Sequence, residues 1–347
     1  MRAPRLLATG AVAALITILV AGPAAACGGL IGPNGAVNLL RTTTFAGYHD
    51  GVEHYVTAFN FAGGGGAFGS IIPLPGVPTE VVKGGDWTLQ RLLRETAPRF
   101  EAFAGAAAPS ADRSAQVLLE VKIDALDITV LKGGGDQVGT WAKEHGFRLS
   151  PDAPEVLDFY ADRSPIFLAA AFDAKRAADR GQNLGDGTPV HITIPTTNPW
   201  VPLRILGLGK QGTEPVNADV FLLTDRRPAL LPAPDVSGSG LVTRYSSKAS
   251  TALLADLRSD RGMEWIPASG MHLTHLAVEA TAGELRHDLA IDASGQRAPS
   301  RVAAGLVAAG ESSLPSASAD SGQAWLVVAV AVAALVTGLT VAAAVRR

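Results

Sequence analysis

Residues 39–61, LLRTTTFAGYHDGVEHYVTAFNF, decide how the fold is read. Asp50 and Gly51 stand between two runs rich in Thr, Val, Tyr and Phe. An Asp-Gly pair tolerates the positive φ angles of a two-residue turn, so the stretch predicts a β-hairpin. After the turn, Tyr55, Thr57, Phe59 and Phe61 share one face, and Val56, Ala58 and Asn60 the other. Residues 68–74 make another short apolar strand, closed by Pro73, Pro75 and Pro78. The four glycines at 63–66 lack a following Lys-Ser/Thr and a helix. They read as a loop rather than a phosphate cradle.

Farther along, strands and short helices mix. Asp86 reads as the N-cap of a helix bearing Trp87, Leu89, Leu92 and Leu93 and ended by Pro98. Val117, Leu119, Val121 and Ile123 alternate; the phase then slips by one to Leu126, Ile128 and Val130. Such a slip marks a bulge or a tight turn near Asp124-Ala125. Asp136 reads as a second N-cap, followed by Val138, Trp141 and Ala142, with Gly146 as the C-cap. Ala153, Val156, Leu157 and Tyr160 fall on one apolar helix face. Residues 166–172, 190–194, 201–206, 220–223 and 271–278 read as strands and 251–257 as a helix, with 230–240 a Pro/Gly/Ser connector. The fold class is α+β, a mixed or antiparallel sheet with short helices, plus a C-terminal transmembrane helix.

The two ends give the address. Residues 324–345 carry no charge, and 22 residues of helix reach about 33 Å, enough to cross a bilayer core. Trp325 suits the lipid interface, and Arg346 and Arg347 form a cytoplasmic tail at 346–347. Residues 1–26 read as a signal peptide: Arg2 and Arg5, an apolar run, Gly22-Pro23, then Ala24-Ala25-Ala26. The expected organisation is an extracytoplasmic domain over 27–293, a flexible stalk over 294–323 and the anchor. The protein is then expected in the cell membrane, single-pass, with the domain outside. Cys27 is the only cysteine, so no intramolecular disulfide forms. It reads as a free thiol after cleavage; lipidation of Cys27 is the alternative, though Ala24 stands where lipoprotein signals usually place leucine. With the four terminal arginines set aside, 25 basic residues face 32 acidic ones, a balance of −7. That argues against nucleic acid as a partner.

Several motifs resemble the bacterial family of exported proteins called DUF2330. They are Ala26-Cys27-Gly28-Gly29, Ile72-Pro73-Leu74-Pro75, Trp141-Ala142-Lys143-Glu144-His145-Gly146-Phe147, Val156-Leu157-Asp158-Phe159-Tyr160, Phe167-Leu168-Ala169-Ala170 and Pro202-Leu203-Arg204-Ile205. The resemblance runs from about residue 26 to residue 230. It implies an exported, often membrane-anchored domain and carries no site residues. Phe68-Gly69-Ser70-Ile71 departs from it, standing where the resemblance leads one to expect a tryptophan.

No catalytic, cofactor or metal site emerges from the motifs. Residues 207–212, GLGKQG, fit a dinucleotide fingerprint, but Pro215 leads into a strand where the fingerprint needs a helix. No nucleotide is expected. His272 and His275 lie on a strand and point to opposite faces, so a metal would need distant partners such as His191 or Asp219. Gly238-Ser239-Gly240 sits in a connector, not a nucleophile elbow. Arg204 in an apolar run reads as facing solvent or paired to an acid, with a ligand anchor as the sharper alternative. The favoured function is a binding or accessory module of the bacterial envelope, with the lipid bilayer and an envelope protein as partners. The alternative is a cell-envelope hydrolase whose groups converge only in the fold. Deleting residues 323–347 is expected to release soluble protein into the medium. Retention at the membrane that Cys27→Ser reverses would establish the lipoprotein reading instead.

Overall fold

The computed structural model describes residues 29–32, 35–36, 42–59, 68–97, 120–180 and 188–307. In chain order its strands are β1 (Gly29–Gly32), β2 (Gly35–Ala36), β3 (Thr42–His49), β4 (Val52–Phe59), β5 (Phe68–Pro73), β6 (Glu80–Lys83), β7 (Glu120–Ile123), β8 (Leu126–Lys132), β9 (Ile166–Phe172) and β10 (Thr188–Pro195). Then come β11 (Trp200–Val201), β12 (Pro215–Thr224), β13 (Ala229–Leu231), β14 (Leu241–Lys248), β15 (His272–Thr281) and β16 (Leu289–Asp292). The helices are α1 (Thr88–Thr96), α2 (Gly135–Glu144), α3 (Ala153–Ala161), α4 (Ala174–Asp179) and α5 (Thr251–Arg258).

The hairpin forms as expected: Asp50 and Gly51, at φ 49° and 80°, join β3 to β4. It sits inside a seven-stranded sheet ordered β14-β15-β12-β3-β4-β10-β6, where β12 runs parallel to β3 and the other pairings are antiparallel. A six-stranded antiparallel sheet has the order β2-β1-β5-β9-β8-β7, and a three-stranded one the order β11-β16-β13. The phase slip near Asp124 is a tight turn, with Asp124 at φ 52° between β7 and β8.

The two large sheets face each other. Ala46, Tyr55, Val220 and Leu222 of one pack with Ile72, Ile128 and Leu168 of the other. Their outer faces are covered too. Phe45, Val56, Phe221 and Leu223 lie under Leu92 of α1 and Leu254 and Leu257 of α5. Ile71, Phe167 and Ala169 lie under Val138 and Trp141 of α2 and Leu157 and Tyr160 of α3. The order is therefore helices, sheet, sheet, helices. Strands buried on both faces lose the polar side that a two-layer fold would leave, which is why β12 is buried at eight of ten positions. All four predicted residues of the α3 face are buried, and Trp141 is 4% exposed.

Three local expectations are corrected. Residues 201–206 are not a strand: after the two-residue β11 the chain bends into a single 3-10 turn, Arg204–Gly207, because the Asp288 carboxylate takes the amides of Leu203 and Arg204 (2.7 and 3.0 Å). Asp136 is not a cap. Gly134 is the N-cap of α2, and Gln137 Oε1 accepts its amide at 2.7 Å. The other end of α2 is as read: Gly146 (φ 76°) donates to Lys143 O and Phe147 to Ala142 O, which satisfies the last carbonyls. Asp86 does not cap α1 either. Asp260, from the loop after α5, accepts the amides of Asp86, Trp87 and Thr88 (3.0, 3.1 and 2.8 Å) and the Thr88 hydroxyl (2.6 Å). Gly85 permits this approach, since a Cβ there would lie 2.1 Å from Asp260 Oδ2.

Residues 303–305, within the span expected as a stalk, pack on the domain. Ala303 and Ala304 join the outer core, and Asp288 donates its amide to Ala304 O (3.0 Å). The small residues that suggested a stalk allow close contact: a Cβ on Gly305 would lie 2.3 Å from Phe159 Cζ. The signal peptide, Cys27 and residues 308–347, with the expected anchor at 324–345, lie outside the described residues. Among the described residues no helix is long and apolar enough to cross a membrane.

Asp260→Ala should destabilise the domain by about 3 kcal/mol in urea denaturation, because it strips three amides and a buried hydroxyl of their acceptor. Asp256→Ala, which removes only an ion pair with Arg91, should cost under about 1 kcal/mol. Equal losses would show that Asp260 is not the cap of α1.

Candidate functional site

Of the polar residues singled out in the sequence, His275 and Asp219 meet at 2.9 Å; His191, His272 and Arg204 do not join them. His272 and His275 lie on β15, His272 beside the Ser246 hydroxyl (2.9 Å) and His275 in the helix-covered layer, stacked on Phe221 at 4.3 Å. Arg204 pairs with Glu155 of α3 and lies over the Phe159 ring at 4.2 Å. Gly209 takes φ 72°, and its amide is used by the Asp152 carboxylate at 2.9 Å. Pro215 then opens β12, so residues 207–212 form a turn before a strand. Among the described residues no group of three or more His, Cys, Asp or Glu side chains is placed to hold a metal ion.

Two imidazole clusters lie on the helix-covered face of the seven-stranded sheet, with His191 and His275 buried and His54 half-buried. His191 of β10 meets His54 of β4, Nε2 to Nδ1, at 3.0 Å. Trp265 stacks flat on His54 at 4.0 Å, over Gly47, where a Cβ would sit 2.3 Å from the indole. Burial, helped by the neighbouring imidazole, pushes His54 down to about 3. Burial takes His191 to about 4 against the pull of Glu264. Both rings are neutral at neutral pH. The second cluster has the order hydroxyl, imidazole, carboxylate: Thr96 Oγ1 is 2.9 Å from His275 Nδ1, and His275 Nε2 is 2.9 Å from Asp219 Oδ1. That order is the one used for nucleophilic catalysis. Here the nucleophile position is closed. Thr96 is 8% exposed, and its hydroxyl also donates to Leu92 O.

The open site lies elsewhere. A cleft of about 640 Å³ is bounded by the Gly51 turn, Pro75, the loop after β10, the end of α3 and residues 300–303. Its size suits a small-molecule site. Arg163 reaches into its wall with a side chain 4% exposed. Its guanidinium donates to Phe159 O (3.2 Å), Ala303 O (2.6 Å) and Asp288 Oδ2 (2.5 Å), and lies 4.1 Å from the Phe159 ring centre and 5.0 Å from those of Tyr160 and Trp200. Asp288, fully buried, also accepts from the Tyr160 hydroxyl at 2.8 Å. The loop carrying Thr196, Thr197 and Asn198 is tied down by Thr196, whose amide donates to Gly51 O (3.0 Å) and whose carbonyl accepts from the Tyr48 hydroxyl (2.9 Å).

Close by lies Glu53, opposite Tyr48 in the β3/β4 pairing and fully buried. Neither carboxyl oxygen meets a hydrogen-bond partner at proper geometry. Burial pushes Glu53 up to about 8, and the Trp200 backbone amide offsets only part of that. Arg163, Asp288, Glu53 and His54 went unnoticed in the sequence. Glu53 and His54 stand in the alternating run Val52-Glu53-His54-Tyr55, where a glutamate reads as facing solvent. Arg163 and Asp288 are 125 residues apart and carry no local signal.

The family described as an uncharacterized protein conserved in bacteria (DUF2330) matches residues 21–291. The chain belongs to the DUF2330 family. The match extends past residue 240, beyond the motifs, and takes in β14, α5, β15 and most of β16. No curated protein matches the chain. Among solved structures, baculovirus P35 is similar at 8% identity and a TM-score of 0.40, over 74% of this chain and 97% of that one. A mutated baculovirus P35 after caspase cleavage is similar at 9% and 0.38, over 72% and 99%. The caspase-8/P35 complex is similar at 8% and 0.35, over 72% and 95%.

Glu53 makes stability depend on pH. Its carboxyl ionises near 4.5 in the unfolded chain and near 8 in the folded one. The contribution is therefore fully present below pH 4.5 and is lost as pH rises through 8. His54 and His191 act oppositely: lowered in the fold, they stabilise above pH 6.5, and that stability is lost as pH falls through 4 and 3. In chemical denaturation Glu53→Gln should abolish a loss of about 3–5 kcal/mol between pH 5 and pH 9. An unchanged slope in the variant would mean that Glu53 is ionised in the fold.

Proposed function

We propose that this DUF2330 chain is a membrane-anchored binding module on the outer side of the bacterial cell envelope, with the cleft beside Arg163 as its binding site. One observation carries the reading: the cleft is open and about half its lining is polar, on a rigid frame, whereas His191, Thr96, His275 and Asp219 of the imidazole clusters are buried. The export signal and the apolar run at 324–345 support the address. A fixed guanidinium, hydroxyls and an amide can hold a ligand in one orientation. The cleft carries no general base beside a nucleophile, which favours binding over turnover.

The hydrolase reading rests on the Thr96–His275–Asp219 order. It requires Thr96 to become accessible, and Thr96→Val should then abolish any hydrolysis of envelope material without altering binding in the cleft.

A single-thiol variant tests the main reading. In Cys27→Ser/Thr197→Cys the new thiol sits on the exposed cleft rim. A membrane-impermeant maleimide should label it in intact spheroplasts, and solubilised envelope material should slow that labelling. Labelling only after lysis would refute the topology. Unchanged labelling in the presence of envelope material would refute the cleft as the binding site.

A further inference from the structure

The chemistry of the cleft names a class of ligand. Arg163 has five N–H donors, and three are committed, one each to Phe159 O, Ala303 O and Asp288 Oδ2. One N–H on each terminal nitrogen stays uncommitted. The charge of the guanidinium is already matched: Asp288 lies 2.5 Å away and is fully buried. Arg163 therefore lines the cleft as a cation already neutralised by its partner, and leaves the wall little net charge. Around it stand the hydroxyls of Thr196, Thr197 and Ser300 and the amide of Asn198, which keep donor and acceptor capacity beyond the bonds from Asn198 N to Thr196 Oγ1, Asn198 Nδ2 to Thr197 Oγ1 and Ala303 N to Ser300 Oγ. Among the described residues, no ionisable side chain besides Arg163 lines the cleft.

We infer that the cleft takes an uncharged, hydroxyl-rich ligand, a neutral glycan. The inference rests on the binding reading above. Sugar hydroxyls both donate and accept, and so complement a lining of hydroxyls, an amide and a charge-neutralised guanidinium. A phosphate or carboxylate ligand would need a cation with charge to spare, and Asp288 has taken it up; the outer portion's balance of −7 also repels anions. An extended peptide would seek a strand edge or an apolar groove. Pro75 and Pro195 in the wall offer no backbone N–H for it.

The test uses the full-length chain in a zwitterionic detergent without a sugar headgroup. Calorimetry is run with chitotriose, maltotriose, inorganic phosphate and tetra-alanine. At least one trisaccharide should bind saturably, and the rim variant Thr197→Val/Asn198→Ala should weaken it by about tenfold or more with an unchanged melting temperature. Binding of neither sugar overturns the inference. Phosphate or tetra-alanine binding that the rim variant weakens also overturns it, while leaving the cleft as the site. Sugar binding that the rim variant leaves unchanged overturns the glycan inference and the cleft reading together.

Discussion

The buried carboxylate of Asp288 holds together parts of the chain that have no other reason to meet. Two of its partners are backbone amides, at Leu203 and Arg204, and two are side chains of the α3 region, Tyr160 and Arg163. Its own amide reaches Ala304. A charge this deep is tolerated only when its lone pairs are used, and here four donors use them. The same bonds bend residues 203–207 away from a strand, seat residues 300–305 on α3 and aim Arg163 along the cleft wall. Fold and candidate site thus share one electrostatic centre.

Four layers impose a second constraint. Each large sheet is covered on both faces, so every polar side chain on a central strand must find a partner inside or be held neutral. Asp219 meets this demand with His275, and His54 with His191. Glu53 meets it by keeping its proton. Glu53, His54 and His191 have the perturbed chemistry often found at active sites, yet Glu53 and His191 are buried and the half-buried His54 lies against Trp265. Their arrangement is that of a core which neutralises its polar members.

The cleft has the opposite character. Its rim carries hydroxyls and an amide near solvent, and its one cation is balanced from behind. Rigidity comes from the Tyr48–Thr196 and Gly51–Thr196 bonds, and within the loop Asn198 donates its backbone amide to Thr196 Oγ1 and its side-chain Nδ2 to Thr197 Oγ1 (both 3.2 Å). Such a frame is the basis of the binding function proposed above.

Local features were legible in the residues alone. Asp50-Gly51 names a turn because few other pairs accept φ of 49° and 80°; Ala153, Val156, Leu157 and Tyr160 name a helix face by spacing; Gly146 ends α2 by its conformation. Each depends on neighbours within one turn or one strand pair. The cap at Asp86 misled because a competing acceptor 172 residues away, Asp260, cannot be seen from Thr88; the one at Asp136 misled because the N-cap of α2 lies two residues earlier, at Gly134, whose amide Gln137 takes. Glu53 shows the limit best. Alternation tells that it and His54 point to opposite faces, but not that a second sheet covers one and Trp265 the other. The sequence by itself determined the Asp50-Gly51 turn and the helix faces, because these follow from short-range periodicity. Which carboxylates are buried, and which loops meet to form a cleft, was decided only by tertiary structure, because burial and charge pairing depend on layers brought together from distant parts of the chain.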